Sequence, residues 1–226
     1  MTFELDHLFI MTDINAPVAD RLISAGLTEG RSNTHPGQGT ANRCFFFHNA
    51  MLELLWVHDP VEAQSELIYP THLWERWANR NDGSVCPVGI CLRPAQNSEK
   101  TNAFASWPYR PPYLPDSMDS IAIGNNSEVL AEPLLFQTPF AKRPDQSFSE
   151  KSRPTLEHQI GWKKITRVEL VIPTSNNLSL ELQAVINTNQ IELEVGADYC
   201  VNLGFDGETQ RQQLDFRPDL PLTVNW

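Results

Sequence analysis

Two short apolar runs near the amino terminus each carry one side chain able to ligate a metal or move a proton. His7 lies within Leu5-Asp6-His7-Leu8-Phe9-Ile10 and Glu53 within Met51-Leu52-Glu53-Leu54-Leu55-Trp56-Val57. If both runs are strands, alternation places His7 with Leu5 and Phe9 on one face, and Glu53 with Met51 and Leu55 on another. An imidazole or a carboxylate inside an apolar strand needs a partner, because an unpaired polar group is costly to bury. On neighbouring strands the two could share a divalent ion. The plainer alternative is a hydrogen-bonded, half-buried histidine and a salt-bridged or exposed glutamate.

The elements that would have to position this pair are legible around it. A helix begins after Asn15 or Ala16, with Pro17 in the first turn, where a missing N–H costs nothing. Val18, Leu22, Ile23 and Ala25 form its apolar stripe, and Gly26 stands where a left-handed residue ends a helix. A turn-rich stretch and a strand over 42–47 follow, then a tight turn at His48-Asn49 and a returning strand over 50–57. The order for residues 1–57 is therefore βαβββ.

With Leu-Asp-His-Leu opening that order and Leu-Glu-Leu-Leu closing it, the segment resembles the first module of the glyoxalase-like, or vicinal oxygen chelate, superfamily. The stretch His35-Pro36-Gly37-Gln38-Gly39-Thr40-Ala41-Asn42-Arg43 resembles the loop and third strand of its large glyoxalase-like members. The resemblance implies an α+β fold in which paired βαβββ modules form a cupped mixed sheet. It implies a divalent metal (Zn, Ni, Fe or Mn) bound by His7 and Glu53, with Glu53 also the catalytic carboxylate. Asn42 and Arg167 are then expected to contact a small polar organic substrate. The implied chemistry is of the lyase, isomerase or dioxygenase kind, and a metal-free protein that sequesters a drug or metabolite in the same cup is the alternative.

Composition fits an ordinary globular chain. At 226 residues with 41% hydrophobic content it can bury a sizeable core as one large domain or two fused modules. A net charge of −11 repels a phosphate backbone, which argues against nucleic acid as a partner. The apolar runs are too short to span a membrane and no leader pattern opens the sequence, so a cytoplasmic protein is expected, with a homodimer left open. Cys44, Cys86, Cys91 and Cys200 make no C-x-x-C pair and read as reduced core residues. Arg76, Arg80, Arg93, Arg110, Lys142 and Arg143 read as a solvated surface, or in part as a local anion pocket.

Residues 58–164 read as a connection holding a short helix around Leu73, Trp74 and Trp77, a strand over 85–92, a proline-rich extended segment and a mobile loop over 141–164. In the extended segment, Trp107 and Tyr109 are candidates to line a ligand cleft. Residues 165–226 read as a second βαβββ module, its helix capped by Ser175 or Asn176. Superposing Ile165-Thr166-Arg167-Val168 on Leu5-Asp6-His7-Leu8 puts Arg167 where a second metal histidine would stand; an alternative alignment makes Val85 to Leu92 the opening strand of the second half, which contains no histidine either. Arginine stays protonated and cannot ligate, so any ion is expected to be loosely held and partly hydrated unless Glu169, His158 or Asn225 reaches in. Arg167 itself is expected to face Glu53 or to clamp an anionic ligand.

Overall fold

The computed structural model describes residues 2–96, 98, 101–146, 155–173 and 177–226. The proposed cap at Ser175 or Asn176, and residues 147–154 of the loop read over 141–164, lie outside the described residues.

Apolar periodicity and turn chemistry produce the first module much as expected. Strand β1 (Phe3–Met11) leads to helix α1 (Ala19–Ser24), followed by β2 (Asn33–His35), β3 (Thr40–Phe46) and β4 (Met51–Val57). Asn15 and Ala16 take positive φ before the helix, and Gly26, at φ +102°, turns the chain out of it. Two short helices follow, α2 (Pro60–Ala63) and α3 (Leu73–Ala78); the Asp59 carboxylate caps the first by accepting from the Val61 and Glu62 amides. Strands β5 (Val88–Pro94), β6 (Ser106–Tyr109), β7 (Ile121–Gly124) and β8 (Leu134–Gln137) complete the central part. Pro108 is tolerated in β6 because that strand is an outer edge of the sheet.

These elements form one eight-stranded mixed sheet in the order β2-β3-β4-β1-β5-β8-β7-β6. At its centre β1 runs parallel to β4 and antiparallel to β5. Here the pairing follows the alternative alignment and not the leading one: the half of the cup opposite His7 and Glu53 comes from the middle of the chain, opened by β5, not from residues 165–226. The strands responsible, β7 and β8, have only four residues each, too few to show a periodicity.

The C-terminal elements are β9 (Ile165–Ile172), α4 (Leu180–Asn187), β10 (Glu192–Val195), β11 (Cys200–Phe205), β12 (Gln213–Asp215) and β13 (Leu222–Asn225). They make a separate five-stranded sheet, ordered β10-β9-β11-β13-β12. Helix α4 is capped by Ser179, whose hydroxyl accepts from the Leu182 amide.

One core holds the two sheets together. Leu8 and Ile10 of β1, Leu52 and Leu54 of β4, and Ala19 and Leu22 of α1 join Val168 and Leu170 of β9, Leu182 and Val185 of α4, and Val224 of β13. Trp162 stacks on Phe205 at 4.7 Å, and Phe47 meets Phe205 at 4.6 Å, joining the modules through aromatic faces. A second, smaller apolar cluster lies on the opposite face of the large sheet and includes Phe9, Leu55, Leu73, Ile123 and Phe136.

Two arginines read as surface residues are instead buried. Arg76 has no exposure and donates to the carbonyls of Glu132 (2.6 Å), Cys86 (3.2 Å) and Ser127 (3.2 Å), tying α3 to the loop that leads into β8. Arg93, 2% exposed, holds Glu4 at 2.9 Å and Asp6 at 3.1 Å. A guanidinium can be buried where acceptors satisfy its fork of donors.

Candidate ligand and proton-transfer site

His7 and Glu53 come together on the cupped face of the large sheet. The parallel register of β1 and β4 sets Glu53 beside Phe9 and leaves the imidazole Nε2 3.6 Å from Glu53 Oε2. Each group is oriented by a further residue. Asn42, 3% exposed on β3, donates its side-chain amide to Glu53 Oε1 at 2.5 Å and accepts from the Asn33 backbone amide at 2.8 Å. Asp6 Oδ2 lies 2.7 Å from His7 Nδ1, and Arg93 holds the other Asp6 oxygen.

The contact between two consecutive residues on a strand has a local cause. The pairing of β1 with β5 is interrupted between Leu5 and His7, and such a bulge shifts the alternation of side chains. Leu5 therefore joins the core on the far side of the sheet while His7 lines the cavity, which corrects the expectation that the two share a face. Asp6 is left beside the imidazole.

Electrostatics follow from this packing. Burial works against a charged imidazole, but the Asp6 carboxylate, 2.7 Å from Nδ1, works for it and prevails, so His7 is held above the ordinary histidine range. Burial likewise disfavours the Asp6 carboxylate, yet His7 and Arg93 bring it below its usual value. Burial pushes the Cys91 thiol up, despite the pull of His7. With Nδ1 committed to Asp6, Nε2 is the imidazole atom offered to the cavity.

The cavity has a volume of about 250 Å³. Its polar lining includes His7, Glu53, Asn42, His35 and Gln38, all from β1 to β4 and the turn between β2 and β3. Elsewhere the walls are mostly apolar and aromatic, with Phe9, Leu55, Ile123 and Phe136 prominent and Thr71 and Thr138 adding hydroxyls. Tyr109 lines it and donates its hydroxyl to Gln38 at 2.7 Å. Trp107 does not line it; the ring packs against the apolar cluster beside Tyr109 at 5.9 Å. The walls suit a mainly apolar molecule with one polar head, which narrows the small polar organic molecule expected from the sequence.

Arg167 is not in this cup. It lies on β9 in the other sheet and pairs with Glu208 at 2.6 Å and Glu169 at 3.2 Å, so neither a contact with Glu53 nor a clamp in the first cavity is available to it. Glu169 and Asn225 line the open pocket of that second sheet. His158 is engaged with the backbones of Thr28 and Phe46.

Donor chemistry decides what ion the first cup could hold. His7 Nε2 and Glu53 Oε2 are close enough to share one, and a histidine whose other nitrogen faces a carboxylate is the usual arrangement at a metal. From the facing strands come Cys91 and Phe136, the latter ring edge-on to the imidazole at 5.2 Å. Asp6, His7 and Cys91 do bring ligand atoms within 4.8 Å of one another, but Asp6 is engaged by Arg93 and Cys91 does not line the cavity. The set fits an open ion held by two protein donors and completed by water, not a closed cage of four.

Asp6, Gln38, His35, Tyr113 and Phe136 were not singled out from sequence. Asp6 belongs to the Leu-Asp-His-Leu segment, and His35 and Gln38 to the glycine-containing stretch before β3. Tyr113, which stacks on His35 at 4.8 Å, stood in the proline-rich segment. Nothing local marks Phe136.

A cupped mixed sheet whose halves meet at antiparallel first strands, with an imidazole and a carboxylate on its inner face, defines a glyoxalase-like protein. The chain belongs to that family: the sequence pattern described as a glyoxalase-like domain matches residues 5–186. Among solved structures it is similar to a hypothetical protein from Staphylococcus aureus, with a TM-score of 0.59 at 13% identity, covering 100% of this chain and 99% of that one. It also matches a xylose isomerase-like TIM barrel/4-hydroxyphenylpyruvate dioxygenase fusion protein with a TM-score of 0.45 at 11% identity, over 91% of this chain and 36% of that one. No curated protein matches it. No helix among the described residues is long and apolar enough to cross a membrane.

Proposed function

We propose that the cup of the large sheet binds a compact, mainly apolar organic molecule by one oxygen-bearing head, and that Glu53 and His7 move a proton at that head in a lyase- or isomerase-type reaction. The observation that carries this reading is the convergence of a carboxylate and an imidazole, each oriented by its own partner, on a largely apolar cavity of about 250 Å³. Apolar walls strengthen hydrogen bonds to a ligand head and weaken competition from solvent.

In this reading the Asn42 amide holds Glu53 so that Oε2 is free to accept a proton from the carbon or oxygen next to a carbonyl. His7, charged and fixed by Asp6, presents Nε2–H to the oxygen on which negative charge develops. A divalent ion, where one is bound, would take the place of the Nε2 proton, would be held by His7 Nε2 and Glu53, and would itself supply the polarisation of that oxygen.

Small aromatic and branched aliphatic hydroxyketones and ketoacids test the proposal. NMR in D₂O would follow deuterium incorporation beside the carbonyl, and line broadening would report binding. Exchange that disappears in Glu53→Gln while binding persists supports proton transfer. Absence of both exchange and binding across the series would overturn the proposal. Binding without exchange would favour the second reading, a protein that only sequesters its ligand, for which the two-donor ion site is the favouring observation.

A further inference from the structure

The small C-terminal sheet is a reduced copy of the large one. Both have a first strand parallel to the last strand of its own half and antiparallel to the first strand of the next half: β1 with β4 and β5, β9 with β10 and β11. In both, that next strand runs parallel to a strand that is itself antiparallel to an outer one: β5, β8 and β7 match β11, β13 and β12. The order β4-β1-β5-β8-β7 is thus repeated as β10-β9-β11-β13-β12, without the equivalents of β2, β3 and β6.

The irregularity next to the site is repeated too. In β9 the register with β11 shifts between Ile165 and Arg167, as in β1 it shifts between Leu5 and His7. Arg167 therefore stands in the second sheet where His7 stands in the first. By the same registers Glu192 matches Glu53, Glu169 matches Phe9, Thr223 matches Leu134 and Asn225 matches Phe136. Val168, Leu170 and Ile172 face the shared core, so the intervening Arg167, Glu169 and Val171 are left on the open face. There they border a pocket of about 650 Å³. An apolar cup in one sheet has become a polar one in the other.

Arg167 is the centre of this second cup. Its Nε and Nη2 donate to the two oxygens of Glu208, at 2.6 and 3.3 Å, a two-pronged pairing that any carboxylate could make. Glu208 arrives from a turn in which Asp206, Gly207 and Glu208 all take positive φ, of 52°, 72° and 55°. Two of those are side-chain-bearing residues in a disfavoured conformation. Its carboxylate fills the space above Gly204, where even a Cβ would collide with it, and Gly204 occupies the register position of Cys91. The pocket is also lined by Glu169, which accepts from Arg167 Nη1 at 3.2 Å and from the Asn202 amide, by Asp198 and Thr223, and by Arg217, whose charge Asp215 already holds at 2.7 Å.

We propose that the C-terminal sheet carries a second ligand site, in which a small zwitterionic α-amino acid places its carboxylate on Arg167 in exchange for Glu208 and its ammonium against Glu169. Two features select a zwitterion. A purely anionic acid would meet the pocket's carboxylates, and an amine without a carboxylate would have no group to offer the arginine. Thr223 donates its hydroxyl to Asn202 Oδ1 at 2.5 Å, which leaves the hydroxyl oxygen to accept from a polar side chain.

Isothermal titration of the full chain with L-serine, glycolate and ethanolamine tests this, using wild type, Glu208→Gln, Arg167→Gln and the double variant. Serine is expected to saturate the wild type, to bind Glu208→Gln about tenfold more tightly once the competing carboxylate is gone, and to lose at least about tenfold in Arg167→Gln. Glycolate and ethanolamine should each bind at least about tenfold more weakly than serine. The double variant removes both charges together, leaves no unpaired carboxylate from that pair, and should fold without binding serine. The proposal is overturned if neither wild type nor Glu208→Gln saturates with serine by about 20 mM, if the folded double variant binds it as wild type does, or if glycolate or ethanolamine binds equally well.

Discussion

Asp6 and His7 are consecutive residues whose side chains meet, with Oδ2 2.7 Å from Nδ1, because a bulge interrupts the alternation of β1 between Leu5 and His7. From that contact runs a continuous polar path: Arg93 holds Asp6, Asp6 orients His7, His7 faces Glu53, and Asn42 holds Glu53 from the other side.

Replacing Asp6 by asparagine keeps the shape and removes the charge that favours the imidazolium. The NMR titration of the His7 ring is expected to move to lower pH, and affinity for a head group that accepts from Nε2 should fall about 10- to 100-fold, as when the carboxylate behind a working histidine is removed. An unchanged titration curve would mean that Asp6 does not govern the imidazole.

Glu53→Gln preserves the volume and an oxygen for the Asn42 amide while removing the base. Proton exchange in a responsive ligand should drop by about 10²- to 10⁴-fold, the usual contribution of a positioned general base. The melting temperature should stay close to that of the wild type. A variant that exchanges as fast as the wild type would assign the proton transfer to another group.

Chelation separates an open ion site from a structural one. With His7 and Glu53 as the two protein donors, dialysis against EDTA should strip any bound ion, verified by elemental analysis, without shifting the melting temperature measurably. Closed zinc sites, by contrast, contribute folding free energy outright. Unfolding on chelation would show that further side chains complete the coordination sphere.

Local patterning made the first module and the outer elements of the last one readable. Pro17 and Gly26 bracket α1, the apolar alternation from 51 to 57 becomes β4, and the run from 165 to 172 becomes β9 with the bounds read for it. Short strands were another matter. Ile121–Gly124 and Leu134–Gln137 are too brief to carry a periodicity, yet they and β5 form the half of the cup that faces His7. Matching Arg167 to His7 was correct in register, but the match belongs to a second sheet, because which sheet a strand joins depends on contacts far away in sequence. The bulge at Asp6 was equally hidden: it depends on how β1 pairs with β5, and Leu5 shows only an apolar residue at an expected spacing. Arg76 and Arg93 were misplaced on the surface because the carbonyls and carboxylates that satisfy them come from distant segments.

His158 offers a pH prediction independent of the cup. Its Nδ1 accepts from the Thr28 backbone amide at 3.0 Å and its Nε2 lies 3.0 Å from the Phe46 carbonyl, so the ring is fixed as the neutral Nε2–H tautomer. A proton on Nδ1 would confront the Thr28 N–H. Burial lowers its pKa below the ordinary value of 6.5, and the Phe46 carbonyl and Glu157 offset only part of that. The unfolded chain therefore binds a proton at His158 before the folded chain does, and stability rises with pH between the two pKa values. The contribution is complete above about 6.5 and is lost as pH falls from there toward the folded pKa. His35, also lowered by burial, acts in the same direction. His7, raised by its surroundings, contributes with the opposite sign, and its change falls at higher pH. Urea denaturation from pH 7.5 to pH 5 should show falling stability below about 6.5 in the wild type, and a shallower fall in His158→Gln, whose amide can still accept or donate at this position but does not titrate. Parallel curves for the two proteins would show that protonation of His158 costs the fold nothing.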